Sequence, residues 1–336
     1  MLKYGIIGMG GLGKLHLSNL DIIGKQRGDI KLKAICGATR EDLLKSVAIN
    51  IGSIDVSKID TSDCGFYSDY KEMLEKEELD FVVTALPTYL HEEVAIYVLS
   101  KGVNILSEKP MALTLDGCDK MIEAAKKSGK KLMIGQCMRF DPAFMYIKNL
   151  VESNVYGKVY RAEFTRYSQM PRWTWKNWIL DPALSGGCPL DMHIHDVDMI
   201  NYLFGTPKEL YSTSTNKKAE LESIFTQYYY DDELTVLSAA DWSMPDKYPF
   251  TAHCTINFEK ATVLVEDEKL TIYTDEATIY PTLPTGNEFI NELNAFIDMV
   301  KSGDDCKISS PESVRESVRI VMAEIESSKE RKIISL

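Results

Sequence analysis

Asp191 and His195 stand four residues apart in Ser185-Gly186-Gly187-Cys188-Pro189-Leu190-Asp191-Met192-His193-Ile194-His195-Asp196. On a helix this spacing puts both side chains on one side and turns His193 away. A carboxylate beside an imidazole holds the ring in one tautomer and makes it the better base. The plainer alternative is a histidine packed at a domain interface. A His-x-His-Asp cluster also consists of metal-ligand types, but no further ligand cluster at a familiar spacing accompanies it, so no metal is expected.

A second reactive group is Lys109, in Val103-Asn104-Ile105-Leu106-Ser107-Glu108-Lys109-Pro110. Proline directly after it fixes the local backbone and keeps the lysine out of helical conformation. Its alternative is an ordinary surface lysine in a loop. Thr84-Ala85-Leu86-Pro87-Thr88-Tyr89-Leu90-His91 likewise follows an apolar run. If both runs are parallel strands, Leu86, Pro87, His91, Glu108 and Lys109 lie at their carboxyl ends, where open α/β sheets bind ligands. His91 is read as shaping its loop without a catalytic part, and His16 and His253 as structural.

The ligand is indicated at the start of the chain, where Lys3-Tyr4-Gly5-Ile6-Ile7 runs into Gly8-Met9-Gly10-Gly11-Leu12-Gly13 and then a helical pattern. In this strand, turn and helix, Gly8 permits the sharp turn, Gly10 admits a pyrophosphate to the backbone, and Gly13 lets helix and strand pack closely. Gly11 and Leu12 open the helix, whose free N–H groups attract phosphate. The pattern marks a dinucleotide site. At the end of the second strand Gly37 stands where an acid would bind the ribose hydroxyls of NAD, and Thr39 and Arg40 follow with a hydroxyl and a fixed positive charge. That loop favours NADP over NAD. The structural alternative has Thr39 capping the next helix and Arg40 in solvent, with Glu41 and Asp42 as first-turn acids.

The elements that must position these groups follow from periodicity. Apolar runs at 31–37, 80–85, 103–107 and 131–136 alternate with amphipathic stretches, the βαβ signature of a doubly wound parallel sheet. Ser68 or Asp69 and Thr114 are helix caps, and Gly129 closes the Thr114 helix. Beyond residue 155 the runs become β-branched and aromatic, at 158–167, 223–230, 234–242, 250–258, 261–265 and 269–273. Separators as short as Glu259-Lys260 suit hairpins. The fold class is therefore α/β for residues 1–136, followed by an α+β domain over 137–336 around an open, mostly antiparallel sheet, ending in helical patterns at 285–301 and 311–329. An open sheet needs its outer face covered, and a second copy of the chain is the usual cover. The aromatic run Pro171-Arg172-Trp173-Thr174-Trp175-Lys176-Asn177-Trp178 could stack on a sugar ring, but tryptophans more often fill cores or interfaces.

Composition narrows the partners. A net charge of -12 with no basic block argues against nucleic acid and anionic membranes, and no apolar run approaches membrane-spanning length. Seven dispersed cysteines without a C-x-x-C pair suit buried thiols in a reducing cytosol rather than disulfides or zinc. The N-terminus lacks the pattern of a signal peptide, so the expected location is cytoplasmic.

Taken in order, the glycine loop ending in His16, Thr-x-x-Pro-x-x-x-His ending in His91, Glu108-Lys109-Pro110, Gly186-Gly187 and Asp191-x-x-x-His195-Asp196 resemble the glucose-fructose oxidoreductase and inositol dehydrogenase family, Gfo/Idh/MocA, over nearly the whole chain. The resemblance implies an N-terminal Rossmann domain and a C-terminal domain whose sheet mediates homodimers or homotetramers. It also implies NAD(P)-dependent hydride transfer at a hydroxyl or carbonyl of a sugar, inositol or related polyol. Under it, Lys109 binds the reacting hydroxyl, His195 is the general acid/base, Asp191 its substrate-binding neighbour, and Arg139 a substrate contact. The alternatives are a family member that oxidises its substrate only transiently with bound NAD, as a redox-assisted glycosidase or lyase, and a non-catalytic cofactor-binding regulator. Retention of both Lys109 and His195 argues against the regulator.

Overall fold

A computed structural model of the chain describes residues 1–49, 52–231, 233–266 and 269–336. In its first part the β-branched runs form β1 (Leu2–Ile7), β2 (Ile30–Cys36), β3 (Val47–Ile49), β4 (Gly52–Ile54), β5 (Gly65–Tyr67), β6 (Phe81–Thr84), β7 (Asn104–Glu108) and β8 (Leu132–Gly135). Six of these make one parallel sheet in the order β5-β2-β1-β6-β7-β8. β5 was not legible in the sequence, being three residues long, and neither was the β3-β4 hairpin. The sheet's order reverses direction between β1 and β6, which opens a crevice at their carboxyl ends. The registers Ile7↔Thr84 and Thr84↔Ser107 bring the ends of β1, β6 and β7 level, so the turns that follow them emerge side by side. Helices begin and end where the sequence indicated: Asp69 accepts a hydrogen bond from the Lys71 N–H, Thr114 from the Gly117 N–H, and Gly129 closes its helix at φ +65°.

The second sheet is built from β9 (Val159–Gln169), β10 (Glu209–Thr213), β11 (Ser223–Tyr229), β12 (Thr235–Met244), β13 (Thr251–Phe258), β14 (Thr262–Glu266), β15 (Lys269–Tyr273), β16 (Thr278–Ile279) and β17 (Ile334–Ser335). Its order is β16-β15-β14-β13-β9-β12-β11-β10-β17, antiparallel throughout except where β9 and β12 run parallel. Burial alternates along the strands. Val236, Ala240 and Trp242 of β12 point into the core while Leu237 is exposed, and Tyr160, Phe225 and Tyr273 lie exposed on their strands. Trp178 packs against the core cluster of Met170, Met192 and Trp242, as read from the sequence. Trp173 and Trp175 lie outside that core and are exposed. The backbone between Trp175 and Trp178 passes through left-handed conformations at Lys176 and Asn177, which turns Trp175 outward.

The chain divides into two units, residues 1–137 with 288–314, and residues 138–287 with 315–336. The helix Glu288–Ser302 thus joins the first unit rather than the second, where its place in the sequence had put it. Its apolar face decides this. Leu293, Phe296 and Ile297 are fully buried, and Phe296 packs edge-on against Phe81 of β6. Arg27 clips it further through Asn294 and Asp298. The same helix buries Glu292 completely, and neither of its carboxylate oxygens has a hydrogen-bond partner among the described residues. Burial, with the negative charges of Glu108 and Glu288 adding, pushes this carboxyl well above the usual carboxylate range. The folded state therefore keeps a proton that the unfolded chain has already released, so stability is lost as pH rises above the ordinary glutamate range. Glu292→Gln, with no proton to lose, should become progressively more stable than wild type between about pH 5 and about pH 8, reaching about 1–3 kcal/mol. Melting temperatures across that range check this, and a difference independent of pH would mean that Glu292 is ionised inside the fold.

Candidate functional site

The glycine turn of the first unit is shaped by contacts that leave no room for side chains. Gly8 sits at φ +92°, and a Cβ there would lie 2.3 Å from the Ala85 carbonyl oxygen. A Cβ on Gly13 would lie 1.9 Å from the Gly8 carbonyl oxygen. Gly10 is different: its φ of -69° suits any residue, and a Cβ would meet no protein atom within 4 Å. The space beside it is left by the fold. No side chain caps the Gly11–Arg27 helix, and its first turn carries no acid. These N–H groups, including those of Gly11 and Leu12, form a cradle suited to a pyrophosphate.

On the ribose side, Gly37 follows β2 at φ +93°, its backbone against Gly8. Thr39 caps the short helix Arg40–Leu43 in a reciprocal capping box with Asp42, giving its hydroxyl and N–H to that carboxylate. These bonds and Lys45 hold Asp42 down at about 2, so it is charged at neutral pH. Arg40 donates to Thr61 Oγ1 and to the carbonyls of Ser62 and Cys64, and its guanidinium lies 4.7 Å from the Phe66 ring centre. Thr39 and Arg40, read from the sequence as suited to a 2′-phosphate, are exposed and already have these partners. Both are engaged within the protein, and an anion stands among them.

Lys109 begins the loop after β7, and its backbone is fixed on both sides. Its N–H donates to Glu108 Oε2 at 3.1 Å, and Glu108 Oε1 lies 2.7 Å from His16 Nε2. Burial pushes the Glu108 carboxyl up, but the His16 hydrogen bond and the charges of His16 and Lys109 outweigh it and hold Glu108 below the usual range. The Lys109–Pro110 peptide is cis. Pro110 O lies 2.7 Å from His91 Nδ1, whose Nε2 lies 2.9 Å from Leu86 O, so the buried His91 ties the loop after β7 to the loop holding Leu86 and Pro87. Burial lowers the His91 pKa against the pull of those two carbonyls. The loop-shaping part read for His91 is what its contacts provide.

In the second unit Gly186 and Gly187, both at positive φ, lead into a π-helical turn, Pro189–His193, and then the α-helix Ile194–Phe204. Such widened turns recur at functional sites. Asp191 and His195 are partly exposed, while His193 is fully buried, with Nε2 3.4 Å from Glu324 and 3.5 Å from the Tyr228 hydroxyl. Tyr228 also donates to Glu324, and burial beside that carboxylate keeps the phenol well above its usual pKa. Two buried ion pairs hold the helix that carries His195. Asp196 receives Arg166 Nε and Nη2, and Asp198 receives Arg139 Nε and Nη2 as well as the Ser317 hydroxyl. The reading of Arg139 as a substrate contact is corrected here. The residue is 1% exposed, its guanidinium forks onto Asp198, and it stacks 5.0 Å from the Tyr202 ring centre. The sequence had not shown the partners of Asp196, Asp198, His193 or Glu108, since each lies 30 or more residues away. His253 is partly exposed, 3.8 Å from Glu266. Among the described residues no group of three or more His, Cys, Asp or Glu is arranged to hold a metal, and no helix is long and apolar enough to cross a membrane.

A model of the Gfo/Idh/MocA oxidoreductase family, with an NAD-binding Rossmann fold, matches residues 2–136, and the C-terminal domain model of that family matches residues 144–279. The chain is 28% identical over 330 residues to a myo-inositol 2-dehydrogenase of Thermotoga maritima, covering 92% of this chain and 91% of that protein. It is 35% identical over 158 residues, 46% of this chain and 41% of the other, to a 2,7-anhydro-N-acetylneuraminate hydratase of Mediterraneibacter gnavus. Its fold is that of a myo-inositol 2-dehydrogenase from Lactobacillus plantarum, with a TM-score of 0.79 at 22% identity over 100% of this chain and 99% of that one. The chain belongs to the Gfo/Idh/MocA family of oxidoreductases.

The cradle around Gly10 can be tested alone. Gly10→Val should fold normally, because its Cβ meets open space, yet it fills the volume where a pyrophosphate would approach the backbone. Calorimetry should find NAD binding nearly abolished with an unchanged melting temperature. Retained affinity would place the pyrophosphate elsewhere.

Proposed function

We propose, from the membership of this chain in the Gfo/Idh/MocA oxidoreductase family, that it is an NAD-dependent dehydrogenase of a cyclic polyol, an inositol or a closely related sugar. The observation that carries this reading is the pairing of Glu108-Lys109-Pro110 with Asp191-x-x-x-His195 in a chain aligned over nearly its whole length with a named inositol dehydrogenase. Oxidation breaks a C–H bond with its electron pair leaving as hydride, while the hydroxyl proton departs and the carbon becomes a carbonyl. His195 takes that proton, and the Lys109 ammonium stabilises the negative charge growing on oxygen. Asp191, four residues before His195 and accessible like it, orients the imidazole and holds a neighbouring hydroxyl. Bound nicotinamide supplies the hydride acceptor, and the chain's own work is to bind and orient it.

NAD rather than NADP is favoured because Thr39 and Arg40 already have partners and the charged Asp42 stands in the ribose-side loop, where it repels a 2′-phosphate. Exposed Phe225, Leu237 and Tyr273 on one face of the second sheet support assembly of like chains through that face. A second reading, a reaction with no net redox change, is favoured by the identity shared with the hydratase.

A panel of inositols, sugars and sugar acids, followed by absorbance of the reduced nicotinamide, should show oxidation of a ring polyol. Lys109→Ala and His195→Ala should each lower kcat by about 10²–10⁴. Wild-type turnover in His195→Ala would remove the base, and product without accumulation of reduced nicotinamide would select the second reading. Arg40→Ala should leave the ratio of kcat/KM for NAD and NADP nearly unchanged. A selective loss of NADP turnover of about tenfold or more would return Arg40 to a phosphate-binding role.

A further inference from the structure

His16 takes no part in the chemistry above, yet it is fully buried and points its Nε2 at Glu108 Oε1, 2.7 Å away. It lies on the Gly11–Arg27 helix, one turn beyond the glycines that form the pyrophosphate cradle. Glu108 uses its other oxygen on the Lys109 N–H. A single carboxylate therefore joins the helix that cradles the dinucleotide to the backbone of Lys109. The fold leaves room for it: β8 ends in Gly135, where a Cβ would stand 3.4 Å from the Glu108 carboxylate. Burying a histidine–carboxylate pair is a poor route to stability, since apolar side chains of like volume do as well or better. The pair's second bond shows what it does instead. With Pro110 O 2.7 Å from His91 Nδ1 on the opposite side, the backbone of Lys109–Pro110 is held at both ends.

We infer that His16 is a positioning residue: through Glu108 it sets the backbone of Lys109 relative to the helix that cradles the dinucleotide. The inference rests on the reading of Lys109 as the cation that meets the reacting hydroxyl, and the experiment separates the two. The Lys109 amide proton, bonded to Glu108 Oε2, reports the link without any turnover. In the full-length chain, His16→Leu should speed hydrogen exchange at that amide by about tenfold or more while Ile105 and Leu106 of the same strand keep their protection. His16→Gln, whose amide reaches about as far as the imidazole Nε2, should restore it. With myo-inositol and NAD, His16→Leu should lower kcat by about 10–100-fold, leave the affinity for NAD unchanged, and have no further effect in the Lys109→Ala background. Unchanged exchange at Lys109, or equal acceleration along the whole strand, overturns the inference, as does a kcat loss that persists undiminished in Lys109→Ala. If the exchange result holds but Lys109→Ala turns over like wild type, the positioning link stands and the role given to Lys109 falls.

Discussion

No methyl group fits between the first helix and the end of the first strand. The contact of Gly13 with the Gly8 carbonyl, and of Gly8 with Ala85, presses helix Gly11–Arg27 onto the carboxyl ends of β1 and β6. Much follows from that close approach. It sets the helix's free N–H groups over the crevice at the sheet's switch point, where a dinucleotide's phosphates are best stabilised. It also brings His16, a turn further along, against Glu108 at the end of β7. A wider helix-to-strand spacing would open the cradle and pull the histidine away from the carboxylate that anchors Lys109.

The second unit meets a comparable demand with charge. Its reactive segment leaves a π-helical turn and enters an α-helix whose early residues include Asp196 and Asp198, each forked by a buried arginine. Removing one partner of such a pair leaves a buried charge and costs about 3–5 kcal/mol. The helix therefore has little freedom to roll. His193, anchored to Tyr228 and Glu324, fixes the inward side of the turn, and Asp191 and His195 are left on the accessible side. Buried polar groups thus flank both reactive segments, and the carboxylates of Glu108, Asp196 and Asp198 each meet a specific partner.

Two relatives of this chain carry names for different reactions, a dehydrogenase and a hydratase. A fold does not by itself decide a reaction, which depends on the groups its site holds and on the bond a substrate presents to them. In this chain Lys109 follows directly on the end of a strand, and His195 lies on a pinned helix.

The sequence alone determined whatever depends on neighbours along the chain. Glycine spacing, caps at Asp69 and Thr114 and the alternation of apolar runs are local, and the backbone obeys them because short-range sterics and hydrogen bonds dominate there. Short β5 escaped notice because three residues carry no period. Only the tertiary structure decided which distant charges meet. It returned Glu288–Ser302 to the first unit because an apolar stripe does not name its partner, and it committed Arg139 to Asp198 and Arg40 to the 61–64 loop. It likewise joined His16 to Glu108 across 92 residues of chain. Residue type sets what a side chain can do. Which partner it meets depends on packing, because a buried charge must pair with whatever opposite group the fold brings within reach.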